Sequence, residues 1–189
     1  LLSPGEGVDP ALVMGRLALE LLPALEAVGL EVLRAHRARD VESQQDVDPL
    51  AVELAPVAES MTLGDTKEGA FAVRLAPTMR VDGPVALGRL ENAEGLLDGD
   101  CWGRRSDWVM AEGPIDGRLV RVRIEDADRN PRHPTWWHAR KYGLLAANPF
   151  GRRAFEGGGE SGAMTVTRDA PLRLVYVVTL EAGAEPGPS

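Results

Sequence analysis

Residues 108–124 read WVMAEGPIDGRLVRVRI, and their reading decides the fold. Trp108 to Met110 and Arg118 to Ile124 are runs of strand-forming residues. Between them Gly113-Pro114-Ile115-Asp116-Gly117 concentrates turn formers, which predicts a hairpin closed by residues 113–117. In the second run Leu119, Arg121 and Arg123 alternate with Val120, Val122 and Ile124. That period of two sends one set of side chains to a core and the other to water.

The same alternation recurs outward from this hairpin. Val52 and Leu54 alternate with Ala51, Glu53 and Ala55, Phe71 to Leu75 repeats the pattern, and Ala163 to Thr167 and Leu172 to Leu180 are strand-like. Residues 9–33 carry a competing helical signal, since Asp9-Pro10 is a good helix start and Val13, Leu17, Leu21, Leu25, Val28 and Val32 recur at helical spacing. Pro23 in the interior and Gly29 after it argue against that helix, so strands are expected at 17–21 and 30–32. Short strands at even spacing without intervening helices predict an all-β protein, an antiparallel β-sandwich forming a single domain over residues 1–189. The Pro/Gly-rich tail at 183–189 is expected to be flexible.

Composition narrows the function classes. A net charge of -8 and a pI near 5.0 give no general attraction to nucleic acid or to an anionic membrane surface. Cys101 is the single cysteine, which excludes an internal disulfide framework and a multi-cysteine zinc site. The longest apolar run, Val175 to Leu180, falls far short of the roughly 20 residues that span a bilayer. A soluble protein is expected, with a cytoplasmic location favoured. The start at Leu1 without a methionine leaves an upstream leader, and hence secretion, open. Oligomeric state is not legible.

Four stretches concentrate chemistry. HPTWWHAR, residues 133–140, holds two of the three histidines and two of the four tryptophans. In an unbroken strand His133 and His138 would face opposite ways, but Pro134 makes a regular strand unexpected there, so both imidazoles could meet in one cavity. GDTKEG (64–69) offers Asp65, Lys67 and Glu68 between glycines; it reads as a charged turn, or as carboxylates for acid/base chemistry, sugar hydroxyls or a metal. ENAEG (91–95) and CWGRR (101–105) add Asn92, Glu94, Trp102 and Arg104, where an indole face beside planar polar groups suits a sugar ring. The Gly-rich run 156–162 contains G-x-G-x-x-G but leads into a strand rather than a helix, so a flexible loop is expected instead of a dinucleotide site.

Taken together, GDTKEGAFAVRLAPTM (64–79), ENAEG, CWGRRSDWVMAEGPIDG (101–117) and NPRHPTWWHARKYGLLAANPFG (130–151) closely resemble soluble bacterial proteins grouped as the PmoA family, over about residues 60–180. Residues 1–58 resemble it only loosely, so the chain looks like the C-terminal part of a member or one with a divergent front. The family's "methane oxygenase" label borrows from a membrane-embedded copper subunit, and this chain lacks the apolar helices such a subunit needs. The resemblance implies a β-sandwich of jelly-roll or mutarotase-like supersandwich type, and with it a carbohydrate ligand. Against the family pattern the chain has Ala70 in place of a second glycine and Lys141 in place of an acidic residue.

These observations predict a small-molecule or oligosaccharide ligand in a cleft. His133 or His138 would be the general acid/base, Asp65 or Glu68 its carboxylate partner, and Trp102 or Trp137 the stacking platform. Lys67, Asn92, Glu94, Arg104, Arg140 and Asn148 would bind the ligand. A non-catalytic sugar-binding sandwich with the same groups is the alternative. A metal-dependent oxidase holding iron or copper on two histidines and a carboxylate is another. No metal is expected, because the histidines lack a third ligand at local spacing, and no cofactor is assigned.

Overall fold

A computed structural model describes residues 30–32 and 47–183. The strand expected at 17–21 and the tail beyond residue 183 lie outside the described residues. Eleven strands are present among them: β1 (Leu30–Val32), β2 (Val47–Pro56), β3 (Ser60–Leu63), β4 (Phe71–Arg74), β5 (Arg89–Asn92), β6 (Trp108–Ile115), β7 (Arg118–Asp126), β8 (Trp136–Arg140), β9 (Leu144–Asn148), β10 (Met164–Thr167) and β11 (Leu172–Ala182). One short helix, α1 (Arg152–Glu156), interrupts them. The fold is all-β and sandwich-like, with antiparallel pairing throughout.

The strands form a six-stranded sheet in the order β1-β2-β11-β7-β6-β5, a three-stranded sheet β4-β9-β8, and a two-stranded ribbon β10-β3. The two larger sheets share one core. From the large sheet come Leu90, Val109, Ala111, Val122, Ile124 and Leu174; from the small one come Phe71, Val73, Trp137, Ala139, Leu145 and Ala147. Phe71 stacks on Tyr176 across this interface with ring centroids 5.0 Å apart. The alternation expected for β7 is present, with Val122 and Ile124 buried and Leu119 and Arg121 exposed.

The hairpin departs from expectation in one respect. β6 continues through Gly113, Pro114 and Ile115, which pair with Val120, Leu119 and Arg118, so the turn is Asp116-Gly117 alone. Both turn residues have positive φ, 49° and 78°, as a two-residue type I′ connection requires. Pro114 is tolerated because β5 pairs with β6 only as far as Glu112, leaving β6 an edge where proline has no N–H to donate. Gly113 is needed for a different reason: a Cβ there would lie 2.6 Å from the Met79 Cα, where residues 77–79 cross the sheet.

The crossing from β7 to β8 is built on one buried carboxylate. Asp126, the last residue of β7, is 5% exposed. Its Oδ1 accepts from Asn130 Nδ2 at 2.7 Å, and its Oδ2 accepts from the Thr135 N–H at 2.9 Å and pairs with His133 Nδ1 at 2.9 Å. Asn130 also donates to the Val175 carbonyl and accepts from the Val175 N–H, so its side chain extends the β7–β11 ladder past the strand's end. Replacing Asp126 with alanine strands these donors in a buried site. Denaturant unfolding is expected to show a loss of about 3 kcal/mol; a loss under about 1 kcal/mol would mean that the loop holds its shape without the carboxylate.

Candidate functional site

β8 and β9 are buried on both faces. Trp137, Ala139, Leu145 and Ala147 face the shared core, while Trp136, His138 and Arg140 share the opposite face with Asn148, Ala146 and Leu144. That second face is covered by the GDTKEG loop and by Phe155 of α1. Asn148 Nδ2 donates to the Thr66 carbonyl at 2.8 Å, and the Phe155 ring lies 6.2 Å from the His138 ring and 5.5 Å from Trp102. The cover is fastened by Asp65, whose carboxylate accepts the backbone N–H groups of Arg153, Ala154 and Gly162. Those donors outweigh the effect of burial and hold the Asp65 carboxyl below its ordinary value.

Beneath this cover His138 is 4% exposed, its Nδ1 has no hydrogen-bond partner, and the nearest carboxylate oxygen, Glu68 Oε2, stands 4.0 Å away. Burial pulls the His138 imidazole below its ordinary pKa; the Glu68 charge and a backbone hydrogen bond with Lys67 oppose this, and the charges of Arg140 and Lys67 reinforce it. Trp102 Nε1 is also buried without a partner. Trp102 lines a groove of about 370 Å³ together with Asp82, Gly99, Ala139, Arg140, Lys141 and Tyr142, and Arg140 is two residues from His138 on the same face of β8. A histidine kept neutral, an indole N–H with nothing to donate to, and an open polar groove can together grip a hydroxylated ligand and move a proton on it.

The structure sorts the expected site residues into two groups. Trp102 and Arg140 line the groove, and His138, Glu68 and Lys67 come together next to Phe155. The others do neither. His133 is held in the Asp126 knot, with Nε2 3.4 Å from Asp107, so the two histidines do not share one carboxylate. Among the described residues no group of three histidine, cysteine or acidic side chains is close enough to hold a metal ion. Asp65 is spent on backbone donors rather than on a histidine. Trp137 cannot be a stacking platform, because its ring is fully buried and its Nε1 donates to the Ser106 carbonyl at 2.8 Å. Asn92 closes the ENAEG turn by accepting from the Leu96 N–H, and Asn148 accepts from the Phe150 N–H while pinning Thr66. Glu94 and Arg104 are exposed. Cys101 is buried, and burial pushes its thiol up to about 11, which removes it as a nucleophile.

Phe155, Tyr142, Asp82 and Lys141 were missed. Tyr142, one of two tyrosines, carried a signal in its exposure next to a strand end; Phe155 and Asp82 reach the groove from distant segments that no local pattern connects to it. An antiparallel sandwich-like protein with a covered histidine beside a polar groove is the class that fold and site define. The chain belongs to the Family of unknown function (DUF6807), which matches residues 25–186. No curated protein and no solved structure matches it.

The His138 environment has a consequence for acid stability. Its folded-state pKa lies below the ordinary value near 6.5, so in the window between the two the unfolded chain binds a proton that the folded chain does not. Stability is expected to fall as pH drops from 6.5 through that window and to level off below it. Chemical denaturation at a series of pH values should show this slope in the wild type and a flatter one in His138→Gln. Identical slopes would show that another group titrates.

Proposed function

We propose that the protein binds and acts on a carbohydrate in the groove beside His138. His138 is the general acid/base, Glu68 its carboxylate partner and Trp102 the aromatic platform. The observation that carries this reading is the pair of buried nitrogens without partners, His138 Nδ1 and Trp102 Nε1, each on a ring packed against Phe155, with Trp102 also lining an open groove. Buried polar atoms are satisfied in the great majority of cases, and a site that awaits a ligand is one of the few reasons to leave two together. Sugar hydroxyls fit both nitrogens, since a hydroxyl accepts from an indole N–H and donates to a neutral imidazole. Half-buried Trp102 supplies a face for the apolar side of a pyranose.

In this mechanism the lowered pKa keeps His138 neutral and able to take a proton from a bound hydroxyl, while Glu68 stabilises the imidazolium that forms. The non-catalytic alternative uses the same contacts without turnover. The likeness to PmoA-labelled proteins supports the sugar reading through fold alone. The oxidase reading loses its specific donor set, since His133 and His138 are held by different carboxylates.

Thermal shift and tryptophan fluorescence across a panel of mono- and oligosaccharides should reveal ligands, and Glu68→Gln and His138→Gln should weaken their binding while the fold persists. Where a sugar is turned over, His138→Gln is expected to lower kcat by about 10² to 10⁴. A panel in which no sugar binds, or variants that bind and turn over like the wild type, would remove the reading.

A further inference from the structure

The turn between β8 and β9 gathers positive charge in an otherwise acidic chain. Arg74 and Arg140 both pair with Leu144, one from each side, so their side chains leave the same face of the small sheet two strand spacings apart, about 10 Å. The Tyr142 ring receives both, with the Arg74 guanidinium 5.6 Å and the Arg140 guanidinium 5.4 Å from its centroid. A Cβ placed on the next residue, Gly143, would lie 2.9 Å from Arg80 Cγ, so a third guanidinium stem packs against the same turn. Lys141 completes the set and lines the groove with Arg140 and Tyr142.

Two features separate this cluster from an ordinary solvated face. First, no carboxylate among the described residues stands within ion-pair distance of any of the four, although the chain carries 29 acidic residues against 21 basic ones. On the open face of the large sheet arginines are matched, as Arg89 and Arg121 are on Glu112 and Arg123 is on Glu125, and Arg105 and Arg132 donate to backbone carbonyls. Secondly, Arg80 Nε is buried with no hydrogen-bond partner. Like charges held together repel, and the Tyr142 face, with Asp82 lining the same groove, offsets only part of that.

We propose that Arg74, Arg80, Arg140 and Lys141 form an anion subsite of the groove that holds the acidic substituent of a charged sugar. Guanidinium forks suit a carboxylate, a sulfate ester or a phosphate ester alike, since each accepts paired N–H donors. Arg140 and His138 are two apart on β8 and share a face, about 7 Å along the strand. A sugar whose acidic group sits on Arg140 therefore presents its ring to His138 and Trp102. The sugar part rests on the function proposed above; the anion part stands on the cluster itself.

The test measures binding of hexoses, their uronic acids, their 6-sulfates and their 6-phosphates, with inorganic sulfate alone as a probe. Wild type is compared with Arg74→Gln, Arg140→Gln and Lys141→Gln, and with Arg173→Gln, at an exposed position on β11, as a charge-matched control. Acidic sugars are expected to bind at least tenfold more tightly than their neutral parents. Salt should shrink that preference, each of the three cluster variants should cost about tenfold in affinity, and the control should leave it intact. The favoured ester or acid identifies the substituent. Equal binding of neutral and acidic sugars would overturn the subsite and leave the carbohydrate reading standing. Sulfate that raises the melting temperature of wild type but not of Arg74→Gln or Arg140→Gln, with no sugar bound, would keep the subsite and overturn the sugar. Absence of any anion effect would overturn the subsite outright.

Discussion

The buried carboxylate of Asp126 governs how the chain passes from the large sheet to the small one, and the site depends on that passage. A carboxylate at 5% exposure is tolerable only with its oxygens satisfied, and here the donors come from Asn130, His133 and Thr135. Each fixes a point of the loop one step closer to β8, so the strand enters in a set register. A slip of one residue would turn every side chain over. Trp137 would then face outward, and His138 and Arg140 would be driven into the core. The Trp137 Nε1 bond to the Ser106 carbonyl locks the same register from the far side.

With the register fixed, the small sheet acquires an unusual second face. A three-stranded antiparallel sheet normally leaves one face to water, yet Leu144, Ala146 and Asn148 on that face are buried as deeply as the residues opposite them. The GDTKEG loop and α1 provide the cover, and both are short segments with little apolar surface of their own. They are held by polar contacts instead. Asp65 gathers three backbone donors, Asn148 pins Thr66, and Arg132 donates to the carbonyls of Pro149, Gly162 and Ala163. The cover is fastened by hydrogen bonds and reaches His138 through the Phe155 ring and the Lys67-Glu68 side of the loop.

This double burial also explains which parts of the structure were legible in the sequence. The large sheet was readable because one face of it meets water, so apolar and polar residues alternate along β7 and Pro or Gly marks the strand ends. β8 and β9 carry no such alternation, and nothing local says that Trp137 points to the core while His138 points away. Of the two GDTKEG carboxylates only Glu68 approaches His138, whereas Asp65 answers backbone groups 88, 89 and 97 residues away, a division that no local pattern encodes. His133 looked like a second site residue because its partner, Asp126, lies at a strand end where the alternation gives no reason to single it out. The turn was placed too early because Pro114 was read as a turn former, when the absence of β5 beyond Glu112 lets it stay in the strand.

Charge is distributed by the same logic of faces. On the open face of the large sheet, Arg89 and Arg121 meet Glu112, Arg121 also meets Glu181, and Arg123 lies over Trp108 while pairing with Glu125. Exposed pairs of this kind add little to stability, so their effect is to leave that face nearly neutral and free of a strong field. At the β8–β9 turn the balance is different: guanidinium groups converge on a tyrosine ring rather than on acids, and the charge of one of them, Arg140, adds to burial in holding the His138 pKa down. A fold that pairs arginines with acids across one sheet and gathers them on a tyrosine ring at the end of the other concentrates positive charge near the one deeply buried imidazole among the described residues.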